Sequence, residues 1–201
     1  MATKLAKQQR RLNAALPLVL MTDDRAADWA RAVRALPRGS IVVVRARDAK
    51  RRAALAQSLR GLARLLIADD PALAARLAPH VAGLHLPEAR MKQAPHWRAR
   101  RPRWIITASA HSLRALKDAA WLDAVFLSPV FPTQSHPGAP ALTPVRAGLI
   151  AARAPVPVYA LGGVTAQSAA RLAPAFSGIA AIGGLLQGHR GCPPHPSTGS
   201  G

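Results

Sequence analysis

Sulfur, aromatic rings and acidic side chains are all scarce in this chain of 201 residues, and each scarcity removes a class of protein. The single cysteine, Cys192, lies in a Gly/Pro-rich tail, GHRGCPPHPSTGSG, which excludes a disulfide framework and a cysteine metal cluster. A reducing, cytoplasmic setting is therefore expected. No apolar run approaches the roughly 20 residues that a membrane span needs, and the opening MATKLAKQQRR lacks the apolar core of a secretory signal. A soluble protein without a membrane partner is expected. Aromatic residues make up 4% of the chain while hydrophobic residues make up 50%, so the interior must be filled by Ala, Val, Leu and Ile. Only 9 Asp and Glu stand against 28 Lys and Arg, a formal charge of +19. Such a balance raises polyanion binding, but the basic residues have no aromatic interleaving and no helix-turn-helix, RNA-recognition or zinc module. The charge is read as solvated surface with a minority in an anion site, adhering to nucleic acid without specificity at low salt.

What the chain has in quantity is a regular alternation. Short apolar runs, PLVLMT, SIVVVRA, RLLIAD, VAGLHL, RWIITAS, AVFLSP, VPVYALG and IAAIGG, alternate with Ala/Leu/Arg segments of helical spacing such as ADWARAVRALP and PALAARLAP. Continuous apolar runs suit parallel strands buried on both faces, and eight βα units imply closure into a single (β/α)8 barrel. An open doubly wound sheet is the other architecture, and no G-x-G-x-x-G follows the first strand to support it. The expected organisation is a basic N-terminal extension over residues 1–14, the barrel over 15–187 and a Gly/Pro-rich tail over 188–201.

In such a barrel the residues ending each strand converge on one mouth. Read in order they are Thr22 and Asp23, Arg45 and Arg47, Asp69 and Asp70, His85 and Glu88, Thr107, Ser109 and His111, Ser128 with Thr133 to His136, Gly162 and Gly163, and Gly183 and Gly184. The paired glycines fall after the last two strand-like runs, where barrels of this kind usually bind phosphate. Thr165 is a natural N-cap for a helix AQSAARL behind the first pair. Two arginines, two glycine loops, carboxylates and histidines make an inventory for binding a phosphorylated small molecule and moving a proton on it.

The ordered set VFLSPVFPT, PVYALGGVTAQSAARL and GIAAIGGLL, with VAGLHLPE and ITASAHSL upstream, resembles the thiamine phosphate synthase superfamily, which includes the TenI-type thiazole tautomerases. The similarity covers residues 16–186. It implies a barrel that binds thiazole phosphate and, in the synthase, an aminopyrimidine diphosphate with Mg²⁺; the oligomeric state is left open, a homo-oligomer included. By the resemblance, Arg45 and Arg47 grip the diphosphate, Asp69 matches a magnesium ligand, and Thr133, Ser135, Gly162, Gly163, Gly183 and Gly184 contact substrate. Ser109 and His111 fit the family's S-x-H-S element, and His136 stands where the synthase has a loop lysine. With His136, four positions depart from the pattern: Ala68 replaces an asparagine, Arg90 falls where the second metal carboxylate belongs, and Gly183 replaces a serine. The overall resemblance implies a thiamine phosphate synthase. The departures allow two alternatives: a metal-independent tautomerase with His111 as proton shuttle, or a phosphate-binding homologue without chemistry.

Overall fold

A computed structural model describes residues 18–24, 28–133, 140–172 and 174–182. The N-terminal extension, the tail, and Ser135, His136, Gly183 and Gly184 lie outside the described residues. The strands are β1 (Val19–Met21), β2 (Ile41–Val44), β3 (Arg64–Ala68), β4 (Val81–Leu86), β5 (Ile105–Ala110), β6 (Ala124–Leu127), β7 (Val158–Ala160) and β8 (Gly178–Ala181). All neighbours are parallel and β8 pairs with β1, which closes the barrel. The helices are α1 (Trp29–Arg34), α2 (Ala49–Ser58), α3 (Pro71–Arg76), α4 (Ala94–Arg100) and α5 (Pro144–Ala151), with 3₁₀ turns at Glu88–Gln93, Ala115–Asp118 and Ser168–Arg171. All eight apolar runs form strands. Among the described residues no helix is long and apolar enough to cross a membrane.

The scarce carboxylates are committed locally. Asp28, Asp48 and Asp70 cap α1, α2 and α3 by accepting the amides of Arg31, Arg51 and Leu73 at 3.0, 2.7 and 2.9 Å. Each such cap is worth about 1 kcal/mol, and together they orient three successive helices at the mouth side of β1, β2 and β3.

Alternation along each strand sorts the apolar residues into two layers. Val19 and Met21, Ile41 and Val43, Leu66 and Ala68, Phe126, Tyr159 and Ala180 fill the barrel. Leu18 and Leu20, Val42 and Val44, Leu65 and Ile67, Val125 and Leu127 face the helical shell. Strand β4 departs from strict alternation. Leu65 pairs with Val81 but Leu66 pairs with Gly83, so Ala82 is an extra residue in a bulge. Val81, Leu84 and Leu86 belong to the outer layer and Ala82 packs on the inner one. The bulge inverts the phase of the strand, so that His85 enters the barrel. Glycine is required at the inversion, because a Cβ on Gly83 would fall 1.9 Å from the carbonyl oxygen of Ile105.

Candidate active site

Two groups of residues occupy the mouth, one on β2 to β5 and one on β5 to β7. The first lines a cleft of about 280 Å³ whose polar walls are Arg45, Arg47, Arg52, Asp69, His85 and Ser109, over a floor of Met21, Ala46, Ala68 and Pro87. His85 is buried. Its Nδ1 lies 2.9 Å from Thr107 Oγ1 and its Nε2 lies 3.0 Å from Ser109 Oγ, so one nitrogen donates and the other accepts. Its ring stacks on Phe126 with centroids 4.9 Å apart, and Phe126 meets Tyr159 at 5.6 Å. Burial, with a smaller push from the Arg45 charge, lowers the His85 imidazole to about 3, so it is neutral at physiological pH. A permanently neutral ring held at both nitrogens is a poor proton shuttle and a good splint: His85 sets the orientation of Ser109. Burial also pushes the Tyr159 phenol up to about 12, which keeps the barrel interior uncharged.

The arginines of the cleft differ in how they are held. Backbone at Arg45 is fixed by Thr22, which is buried, donates to the Arg45 carbonyl at 2.9 Å and accepts its amide at 2.8 Å. Among the described residues the Arg45 guanidinium has no ion-pair partner, and neither has that of Arg47. Arg52 projects from the first turn of α2, where a cation opposes the helix dipole. It is held there by donating to the Ala46 carbonyl at 2.7 Å and to Asp70 Oδ2 at 3.1 Å, and its buried Nε has no partner. Arg45 and Arg47 are exposed, so their guanidinium groups are solvated and open to the cleft.

The second group surrounds His111. Its amide donates to Glu88 Oε2 at 2.6 Å and its Nδ1 lies 2.7 Å from the carbonyl oxygen of Ser128. A carbonyl can only accept, so Nδ1 carries a proton and the neutral ring has its lone pair on Nε2. The side chain is solvent-exposed. This is the tautomer a general base needs. Next to it, the turn after β7 packs against the loop after β6: Val130 and Phe131 donate to the carbonyls of Leu161 and Gly162 at 2.9 and 3.1 Å. Gly162 and Gly163 have φ of +84° and +64°, and a Cβ on Gly163 would sit 2.3 Å from the Pro132 carbonyl oxygen. Both glycines are thus demanded by this loop packing as well as by any ligand. Thr165 accepts the Ser168 amide at 3.1 Å, but the segment that follows is the 3₁₀ turn Ser168–Arg171 and not an α-helix, and its N-cap position is Gln167, which makes no side-chain cap. The small residues of AQSAAR offer too little apolar face to hold a longer helix on the barrel. Thr133 lies half-buried on the same side of the mouth.

A family model described as thiamine monophosphate synthase (TMP-TENI) matches residues 17–185. The chain belongs to this family. A curated relative from Aquifex aeolicus (strain VF5), named "Putative thiamine-phosphate synthase 2", is 38% identical over 91 residues, which cover 44% of this chain and 48% of that one. The chain thus aligns with about half the length of that relative. Among solved structures, thiamine phosphate pyrophosphorylase from Pyrococcus furiosus superimposes with a TM-score of 0.66 at 22% identity, over 84% of this chain and 86% of that one. An aldolase described as QR15 superimposes at 0.57 with 10% identity, over 87% and 92% of the two chains. Likeness at such identities shows the barrel fold alone.

Family membership makes Mg²⁺ the cation to test against these residues, and they do not fit it. Asp69 Oδ1 is ion-paired with Arg90 Nη1 at 2.8 Å, Ala68 offers no side-chain donor, and Glu88 is turned to the His111 amide. No cluster of three or more His, Cys, Asp or Glu suited to a metal occurs among the described residues. Magnesium takes oxygen ligands in near-octahedral array, and here its strongest ligand already holds a guanidinium. Asp69 is thus neither the cap of α3, which is Asp70, nor a free carboxylate. Its φ of +52° places it in the left-handed region, at a cost of about 1 kcal/mol. An ion pair whose side chains are 51% and 43% exposed returns about 0–1 kcal/mol.

Arg52 and the pairing of Arg90 with Asp69 are what sequence reading missed in the family's site. Arg52 carried a signal: two adjacent arginines, Arg51 and Arg52, sit in the first helical turn, where cations are unfavourable unless tertiary partners hold them.

Proposed function

We propose that this protein acts in thiamine biosynthesis as a thiamine phosphate synthase, joining an aminopyrimidine diphosphate to thiazole phosphate. The observation that carries this reading is the cleft lined by Arg45, Arg47 and Arg52 at the C-terminal ends of the strands, the place and charge a diphosphate leaving group requires. Membership of the family and the partial identity to the Aquifex relative support it. In the reaction a C–N bond forms between the thiazole nitrogen and the pyrimidine methylene carbon, and the C–O bond to diphosphate breaks, with the electron pair leaving on pyrophosphate. The arginines stabilise that departing charge. Ser109, oriented by His85, hydrogen-bonds at the cleft wall, and the Gly162–Gly163 turn with Thr133 is assigned to the thiazole phosphate.

A second reading, metal-independent thiazole tautomerisation of the TenI type, is favoured by one observation, the Nδ1–H tautomer of His111 with Nε2 available to take and return a proton. Two assays separate the readings: formation of thiamine phosphate from the two substrates followed by chromatography, and isomerisation of a carboxythiazole phosphate followed by NMR. Thiamine phosphate formation in the first assay supports the synthase. Turnover in the second alone would replace it by the tautomerase, and inertness in both would leave a ligand-binding homologue.

A further inference from the structure

We infer that Arg90 is a built-in replacement for a divalent cation: its guanidinium, clamped by Asp69 at the rim of the arginine-lined cleft, contacts a diphosphate-class ligand directly, so that the ligand binds without metal. The inference rests on the proposed diphosphate substrate for its ligand class, and on this chain's own geometry for the rest. Asp69 lines the cleft, and Arg90 Nη1 is one hydrogen bond, 2.8 Å, from its carboxylate. That contact engages one of the five N–H donors of the guanidinium. The remaining donors are accessible, since the Arg90 side chain is 51% exposed. The clamp therefore orients a fixed, always-protonated cation without neutralising its outward edge. With Arg45, Arg47 and Arg52 it brings four arginines to one mouth, a set able to match a diphosphate by bidentate hydrogen bonds.

Three features argue that this is a site and not an ordinary surface pair. Asp69 holds a left-handed backbone conformation, φ +52°, with its amide donating to the His85 carbonyl at 2.9 Å, which fixes the carboxylate that clamps Arg90. The neighbouring carboxylates are engaged elsewhere, Asp70 with Arg52 and Glu88 with the His111 amide, which leaves Asp69 as the single carboxylate partner of Arg90 among the described residues. Arg90 stands in a 3₁₀ turn, Glu88–Gln93, that begins immediately after β4, so its Cα is set by the barrel and not by a wandering loop.

The test is calorimetric titration of the full chain with inorganic pyrophosphate, in EDTA and in Mg²⁺, for wild type, Arg90→Gln and Arg90→Lys. Wild type is expected to bind pyrophosphate in EDTA and no more tightly with Mg²⁺. Arg90→Gln should weaken that binding by about tenfold, the effect of losing a charge-assisted hydrogen bond, and Arg90→Lys, which keeps the charge but not the planar fork, should restore part of it. Wild-type binding that disappears in EDTA, or an Arg90→Gln variant that binds as wild type does, would overturn the inference. The Arg90 side chain is half-exposed and its replacement leaves no cavity, and far-ultraviolet circular dichroism will show that the variants remain folded. Pyrophosphate binding is read without turnover, so the two proposals fail separately. A chain that condenses nothing yet shows this pattern loses the synthase reading and keeps the metal-free site. A chain that makes thiamine phosphate but binds pyrophosphate only with Mg²⁺ does the reverse.

Discussion

At the scale of single residues, the two histidines of the mouth divide the work according to what their nitrogens touch. His85 has both nitrogens engaged inside the barrel, and its imidazole is pushed down to about 3. The folded chain refuses a proton that the unfolded chain accepts below the ordinary histidine value of about 6.5, so stability is lost as pH falls from about 6.5 toward 3, by up to about 1.4 kcal/mol per pH unit. Urea midpoints at pH 7 and pH 5 should show this loss in wild type and a shallower one in His85→Gln; equal slopes would assign the acid sensitivity to other groups. His111, with one nitrogen free, is the residue to remove for chemistry. In the tautomerase reading, His111→Ala is expected to keep affinity for thiazole phosphate within about threefold and to lose isomerisation turnover by about 100-fold or more, the usual worth of a positioned acid/base. An unchanged rate would remove His111 from the mechanism.

Strands and turns show how glycine and the bulge position these side chains. Without the bulge at Ala82 the phase of β4 beyond it would invert, turning His85 out to the helical shell and Leu84 and Leu86 into the barrel. Gly83→Ala places a methyl group against the Ile105 backbone. It is expected to destabilise the fold by about 3 kcal/mol or more, read as a fall in the urea midpoint; full stability would mean that the bulge tolerates a Cβ. The turn after β7 obeys the same logic with a functional readout. Gly162→Val forces a φ of +84° on a branched residue and drives its Cβ to 2.8 Å from Pro129 Cα. Thiazole phosphate affinity should drop, and equal affinity in wild type and variant would put the phosphate elsewhere in the mouth.

For the molecule as a whole, the formal charge of +19 and the closed barrel act on different problems. Closure buries every strand edge and brings distant segments to one mouth, while most of the arginines serve no cleft. Arg98 bonds Asp123 at 2.6 Å and the Trp104 carbonyl at 2.8 Å, and the Arg101 guanidinium lies 5.4 Å from the Trp104 ring centroid, both at the end of the barrel opposite the site. The whole-molecule expectation is weak, sequence-indifferent adhesion to DNA that falls at least tenfold between about 50 and 200 mM salt, as counterion release dictates. A fluorescence anisotropy titration measures it. Binding that persists well above that range of salt would point to a dedicated nucleic-acid site.

Eight buried apolar runs and the glycine pair Gly162 and Gly163 were legible in the sequence by itself, because strand burial and positive φ are local demands that name their residue types, whereas the capping role of Asp70 and not its neighbour Asp69 was decided by the fold. Also legible was the set of polar residues at the strand ends, Arg45, Arg47, Asp69, Ser109 and His111 among them, since parallel strands leave their C-terminal ends on one face. Tertiary structure alone decided which of them meet. Asp69 and Arg90 lie 21 residues apart and become an ion pair only when β3 and β4 are in register. His85 turns inward only through the bulge, and Arg52 reaches the cleft only because α2 packs beside Asp70. Residue type and strand position are properties of the chain, whereas partnership within hydrogen-bond distance depends on register and phase, which are set by packing between segments distant in sequence.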